Sequence, residues 1–168
     1  SISSVSGADA AESGSQSVTI TITENESSPT ITLATSATSI AENAGSSLTL
    51  TATSSIAADE DITVSISTSG TGTEGTDYST ISDITISAGS TTGTVSFTPT
   101  DDSVYEGNET GIVAISGVSG ADAADSGSQS VTITITENDS SPTITLATSA
   151  TSIAENAGSS LTLTATSS

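Results

Sequence analysis

The sequence contains no lysine, arginine, histidine, cysteine, methionine or tryptophan. Each absence removes a class of chemistry. Without imidazole, thiolate or lysine amine, the usual general bases, thiol nucleophiles and Schiff-base formers are missing. Without lysine or arginine there is no basic surface for phosphates, which argues against nucleic-acid binding and against attraction to anionic lipid. Zinc and copper sites draw on histidine or cysteine, so soft-metal binding is not expected. Disulfides cannot form. No apolar run approaches the ~18 residues of a membrane span, so no direct membrane insertion of this segment is expected. Aromatic residues number three: Tyr78, Phe97 and Tyr105.

What remains is acidic and rich in serine and threonine. The formal charge is −20 over 168 residues. Carboxylates and carbonyls suit hard cations, calcium above all. Paired carboxylates are the only catalytic option, and a metal explains them better, so no enzyme is expected. A polar, acidic chain poor in aromatics has the composition of disorder, but the pattern argues otherwise. Valine, isoleucine and leucine alternate with threonine and serine across many short runs, as half-buried strands do.

The chain repeats itself. Residues 1–55 recur as residues 114–168, and only Ser1/Ala114, Ser4/Gly117, Glu12/Asp125 and Glu26/Asp139 differ. Such similarity marks a recently duplicated tandem array. The strand frame places one complete unit at 28–139. Residues 1–27 read as the C-terminal part of a preceding repeat, and 140–168 as the N-terminal part of the following one. The two terminal parts together lack a counterpart of residues 56–113, so the chain is read as an excerpt of a longer polypeptide.

Seven strands are expected in the unit: Thr30–Ile40 (interrupted around Thr35–Thr38), Ser46–Ser54, Asp61–Thr68, Ile81–Ser87, Thr92–Thr98, Gly111–Val118 and Ser130–Glu137. Glycine-rich turns separate several of them, and no stretch keeps a helical period. This predicts an all-β fold, an immunoglobulin-like seven-stranded antiparallel β-sandwich in tandem repeats. Leu48, Leu50, Val64, Phe97, Val113, Ile133 and Ile135 are the predicted interior residues.

Alternating strand directions gather the acids. Loop 1–2 carries Glu42, loop 3–4 carries Glu74 and Asp77, and loop 5–6 carries Asp101, Asp102, Glu106 and Glu109. Strand 7 ends at Glu137 and Asp139. All lie at one pole with no basic partner, where like charges raise one another's pKa values. Scattered acids such as Asp83 read as ordinary solvated loop residues. The run Asp101–Glu109, opposite Glu42 and Asp77, calls for a cation from solution. The other pole carries Asp59, Glu60, Asp61, Asp122 and Asp125, which are weaker candidates for ligands at an interface between units.

Four segments, IAENAG (40–45), GTDY (75–78), DDSVYEGNE (101–109) and ITITEND (133–139), stand in the order and spacing of a Calx-β domain. The unit resembles the calcium-binding domains of sodium–calcium exchangers and the tandem Calx-β repeats of bacterial surface adhesins. The resemblance implies calcium as the cofactor. Its implied ligands are Glu42, Asp77, Asp101, Asp102, Glu106, Glu109 and Asp139, with the backbone carbonyl of Val104. Three departures from the family pattern stand out. Ser103 replaces part of a longer acidic run, and Glu137-Asn138-Asp139 replaces consecutive aspartates, which together imply fewer or weaker calcium sites. Gly111 replaces a large aromatic, which implies a leaner core.

The resulting expectation is a structural spacer of a large extracellular bacterial adhesin or surface filament, stiffened by calcium at its junctions. Its partners would be neighbouring repeats of the same chain and like chains in a filament or bundle. A calcium-sensing regulatory module and a metal-free structural repeat are the alternatives. Near-identical copies favour the spacer, since repeats joined by short linkers make a quasi-one-dimensional rod. Sequons at Asn25, Asn108 and Asn138 match the glycosylation pattern, but short sequons arise readily by chance in a chain so rich in serine and threonine.

Overall fold

The computed structural model describes residues 1–168 apart from 12, 15, 24 and 26. Among the described residues there are eleven strands and no helix. Nine strands build a sandwich. They are β1 (Thr30–Thr35), β2 (Ser39–Ala41), β3 (Leu48–Ser54), β4 (Ile62–Gly70), β5 (Ile84–Ile86), β6 (Thr92–Phe97), β7 (Glu109–Ser119), β8 (Ala124–Asp125) and β9 (Ser130–Thr136). One sheet runs β6-β3-β1-β8 and the other β2-β9-β7-β4-β5. The last two strands, β10 (Ile144–Thr148) and β11 (Leu163–Ser167), form a separate two-stranded sheet.

Side-chain alternation drives the layering, because successive residues of a strand face opposite sides. In β1, Ile31 and Leu33 point inward while Thr30, Thr32 and Ala34 face solvent. Leu50 and Ala52 of β3, Ile62 and Val64 of β4, Val113 of β7, and Ile133 and Ile135 of β9 are buried in the same way. Of the predicted interior residues only Leu48 differs, being half-buried at the first position of β3. Toward the acidic pole the core is completed by Phe97 and Tyr78, stacked with ring centroids 4.6 Å apart and both buried.

The first expected strand is two strands in two sheets. Thr35 Oγ1 donates to the Ala37 carbonyl at 2.9 Å and turns the chain. Ser36 still bonds Thr49 of β3, whereas the Thr38 carbonyl already accepts the Thr134 N–H beside β9. The other end of the unit crosses over in the same manner, with β8 on one sheet and β9 on the other. Two pairings are therefore parallel, β1 with β8 and β2 with β9, in an otherwise antiparallel sandwich. Directions alternate as expected, but some sheet neighbours are distant in sequence, such as β3 with β6 and β4 with β7.

The expected strand Ile81–Ser87 is shortened to Ile84–Ile86 because two carboxylates take over its neighbourhood. Glu74 Oε1 accepts the Ile81 N–H at 2.7 Å. Asp83 Oδ1 accepts the Ile66 N–H at 2.9 Å, and Ile66 lies at the register shift between β4 and β7. Asp83 is thus a structural acid that satisfies a β-bulge.

Gly111 is explained by the aromatic pair. A Cβ added there would lie 2.8 Å from Phe97 Cε2 and 3.5 Å from Tyr78 Cε1. The Phe97 ring takes the space that a side chain at position 111 would need, so the core is filled from the facing strand. Gly111→Ala should therefore destabilise the unit by about 1–3 kcal/mol through overpacking. Combining it with Phe97→Leu should cost less than the sum of the two single changes, because both alter one packed contact. Urea denaturation of the four proteins measures this; additive costs would mean that the ring does not set the constraint.

Candidate metal centre

Strand ends bring the acids together. β2 ends just before Glu42, β9 ends just before Glu137, β7 begins at Glu109, and the loop 98–108 spans the space between them. Two groups of three carboxylates result. Glu42, Asp102 and Asp139 form one; Asp77, Glu106 and Glu109 form the other. In each group one oxygen per residue lies within 4.8 Å of the others. Six of the eight expected ligands are therefore gathered into two neighbouring clusters.

The remaining two sit beside them. Asp101 Oδ1 accepts a long bond of 3.4 Å from Asn138 Nδ2 and belongs to neither group. Val104 is exposed, and its N–H donates to Asp102 Oδ1 at 2.6 Å, shaping the loop. Glu74, placed at the same pole from sequence, is used differently. It accepts from Thr68 Oγ1 as well as from the Ile81 N–H, so it pins the loop over Tyr78.

Glu137 is the residue that sequence reasoning passed over as a site residue. Its Oε2 accepts the N–H groups of Glu106 at 2.7 Å and Gly107 at 2.8 Å. Its Oε1 accepts those of Asn138 at 2.9 Å and Asp139 at 2.7 Å. One carboxylate thus fastens the acidic loop to the end of β9. These bonds favour its ionised form and hold its pKa at about 2. The available signal was its position immediately before Asn138-Asp139 in a chain without cationic side chains, where a carboxylate must find backbone donors.

The cluster carboxylates respond in the opposite direction. Glu42 is buried; burial raises its pKa, and Glu137, Asp102 and Asp139 raise it further. Burial followed by repulsion from Asp77 raises both Glu106 and Glu109. Asp139 is raised by burial and then by Glu137, Asp101 and Asp102. Its Oδ2 is buried with no hydrogen-bond partner. A buried oxygen without a donor is costly, and the Asp139 carboxylate is clustered with those of Glu42 and Asp102.

The donor set is all oxygen, comes from separate loops and carries an excess of negative charge, which fits a hard divalent cation. The residues fit calcium: carboxylates already converge, and one buried oxygen lacks any other partner. The opposite pole matches only in part: Asp125 Oδ1 is likewise buried without a hydrogen-bond partner, but its carboxylates do not converge. Glu60 accepts the Ala121 N–H, Asp61 Oδ1 accepts the Ala88 N–H at 2.8 Å, and no three carboxylates converge there among the described residues.

The fold and this pole define a β-sandwich with a carboxylate-lined end. Residues 24–139 match the family model of the Calx-beta domain, and the chain belongs to that family. Among solved structures it is similar to the apo form of the Calx CBD1 domain. That likeness has a TM-score of 0.54 and 18% identity, over 65% of this chain and 98% of the other. It is also similar to CBD12 from CALX1.2, with a TM-score of 0.49 and 19% identity, over 58% of this chain and 39% of the other. At these identities the likeness concerns the fold. No curated protein matches the chain. Among the described residues no helix is long and apolar enough to cross a membrane.

The shifts set a pH profile. Glu42, Glu106, Glu109 and Asp139 have raised folded pKa values, so their contribution is present below the unfolded values and lost as pH rises through the folded ones. Glu137 does the reverse: its contribution is present above the ordinary value of 4.5 and lost as pH falls toward about 2. The metal-free protein should therefore melt at higher temperature as pH drops from neutral toward the ordinary glutamate range, then lose stability in stronger acid. Glu137→Gln should remove much of the acid-side loss. A metal-free melting curve that falls steadily with acidification from neutral pH would contradict this.

Proposed function

We propose that the unit is a non-enzymatic, calcium-binding Calx-beta module that serves as a structural spacer in an extracellular tandem array, the extension region of a surface adhesin or filament. The observation that carries the calcium reading is Asp139 Oδ2. It is buried without a hydrogen-bond donor, on a carboxylate clustered with Glu42 and Asp102, in a chain that has no cationic side chain. Calcium held by Glu42, Asp102 and Asp139, and by Asp77, Glu106 and Glu109, would supply the missing positive charge. Asp101 and the Val104 carbonyl complete the proposed ligand set from the same loop.

The spacer reading rests on the near-identity of the repeats and on the short connection from the pole to the next one. Asp139 is followed by Ser140-Ser141-Pro142, so a cation at the pole sits at the root of the linker. Metal that binds only the folded state stabilises it by mass action, by about 2.7 kcal/mol when free calcium is 100-fold above Kd. It also ties the loop 98–108 to the strand end from which the linker leaves.

Calcium should raise the melting temperature of the chain at neutral pH relative to chelator, and calorimetric titration should detect binding. Asp102→Asn, inside a cluster, should weaken binding by about tenfold or more. Asp101→Asn, outside both clusters, should weaken it less. For a polypeptide carrying two complete units, scattering should show a longer, stiffer particle with calcium. A stabilising effect without any change in stiffness would point to calcium sensing. No effect of calcium on either quantity would leave a metal-free spacer.

A further inference from the structure

The two copies of the repeated segment differ at four positions, and two of these exchange one carboxylate for the other: Glu12/Asp125 and Glu26/Asp139. In the complete unit these two aspartates share a second property. Among the described residues, the buried side-chain oxygens without a hydrogen-bond partner are Asp125 Oδ1 and Asp139 Oδ2. The other two differences fall at Ala114 and Gly117 on β7, whose side chains offer no ligand to a cation. The copies therefore vary in acid length at the positions where an acid oxygen is left without a donor.

The two positions differ in what surrounds them. Asp139 belongs to the cluster with Glu42 and Asp102, whereas Asp125 joins no group of three carboxylates and pairs with Ile31 of β1 in the sheet. The backbone around the Asp139 cluster has little slack. The Asp139 N–H donates to Glu137 Oε1 at 2.7 Å. The Glu42 N–H donates to the Thr136 carbonyl at 3.0 Å, which fixes Glu42 to the end of β9. Asp102 is folded onto its own loop, its Oδ1 accepting the Val104 N–H at 2.6 Å. With the three backbones held, side-chain length decides where each free oxygen can lie.

Resting on the calcium and array readings above, we infer that side-chain length at the position of Asp139 sets the calcium affinity of this cluster, aspartate binding more tightly than glutamate, so that adjacent repeats fill at different calcium concentrations. Aspartate and glutamate carry the same charge, so the exchange leaves the field of the pole nearly unchanged and alters reach by one methylene. Calcium tolerates varied geometry but needs its oxygens at about 2.3–2.6 Å. A longer side chain at position 139, which is half-buried, must either buckle into occupied space or carry its carboxylate past the point on which Glu42 and Asp102 converge. The first overpacks the site, and the second loses a ligand. The repeat that ends at Glu26 then holds calcium more weakly than the repeat that ends at Asp139. Joints of an array stiffen in steps as calcium rises, instead of all at one threshold.

Calorimetric titration of the full chain with calcium chloride, after treatment with chelator, tests this. Asp139→Glu should raise the Kd of one site by about tenfold and affect the site of Asp77, Glu106 and Glu109 much less. Asp125→Glu, the same exchange at a position outside the clusters, should leave calcium affinity unchanged. The rise in Tm on adding calcium, taken for each protein from its own metal-free value, should be smaller for Asp139→Glu than for the wild type. Taking the difference removes any cost of the extra methylene to the fold itself. Equal or tighter binding by Asp139→Glu overturns the inference and leaves the calcium reading standing. An equal loss of affinity in Asp125→Glu also overturns it, because the effect would not belong to the cluster. A wild-type chain that binds no calcium overturns both the reading and the inference.

Discussion

Everything in this structure answers to one constraint: twenty carboxylates and no cationic side chain. A carboxylate in such a chain can be satisfied by a backbone N–H, a hydroxyl, a proton, solvent or a metal. The fold uses the backbone repeatedly. Asp83 serves a bulge, Glu74 holds the loop over Tyr78, Asp61 and Glu60 hold turns at one pole, and Glu137 gathers four N–H groups at the other. These acids act as hydrogen-bond acceptors that organise loops, a role for which charge-assisted bonds are well suited. What distinguishes the clusters is that several carboxylates converge, and one of them, Asp139, also carries a buried oxygen with no donor.

The sandwich was legible because it rests on local alternation. Ile62-x-Val64, Val131-x-Ile133-x-Ile135 and Leu48-x-Leu50 state which face is buried, and the repeat frames the unit. Alternation does not reveal a change of sheet. The break at Thr35–Thr38 looked like an interruption, and only the hydrogen bonds of Ser36 and Thr38 show that the chain has crossed over. Leu48 obeys the pattern but starts its strand, where less is packed over it. Gly111 read as a thin place in the core, because its filler comes from Phe97, a residue distant in sequence.

At the acidic pole, residue type and loop order located Glu42, Asp77, Asp102, Glu106, Glu109 and Asp139, since alternating strand directions are enough to collect loops at one end. They could not separate converging carboxylates from supporting ones. Glu74, Glu137 and Asp101 have the same chemistry as the cluster residues and differ only in which atoms stand nearby. That distinction is three-dimensional: Glu137 shares its loops with the clusters, yet its oxygens are already occupied by backbone donors.

The parallel pairings have a mechanical meaning. The chain enters the unit through β1 and β2 and leaves through β9, at opposite poles, and β2 lies alongside β9 in the same direction. Tension applied through the two linkers therefore pulls these neighbours past each other along their length. Their ladder bonds are loaded together, in shear, instead of being opened one after another as in a hairpin peeled from its end. The short second parallel pairing, β1 with β8 on the facing sheet, takes the same load near the point of entry. A module joined this way resists stretching with its ladder as well as with its core, which is aliphatic apart from one stacked aromatic pair.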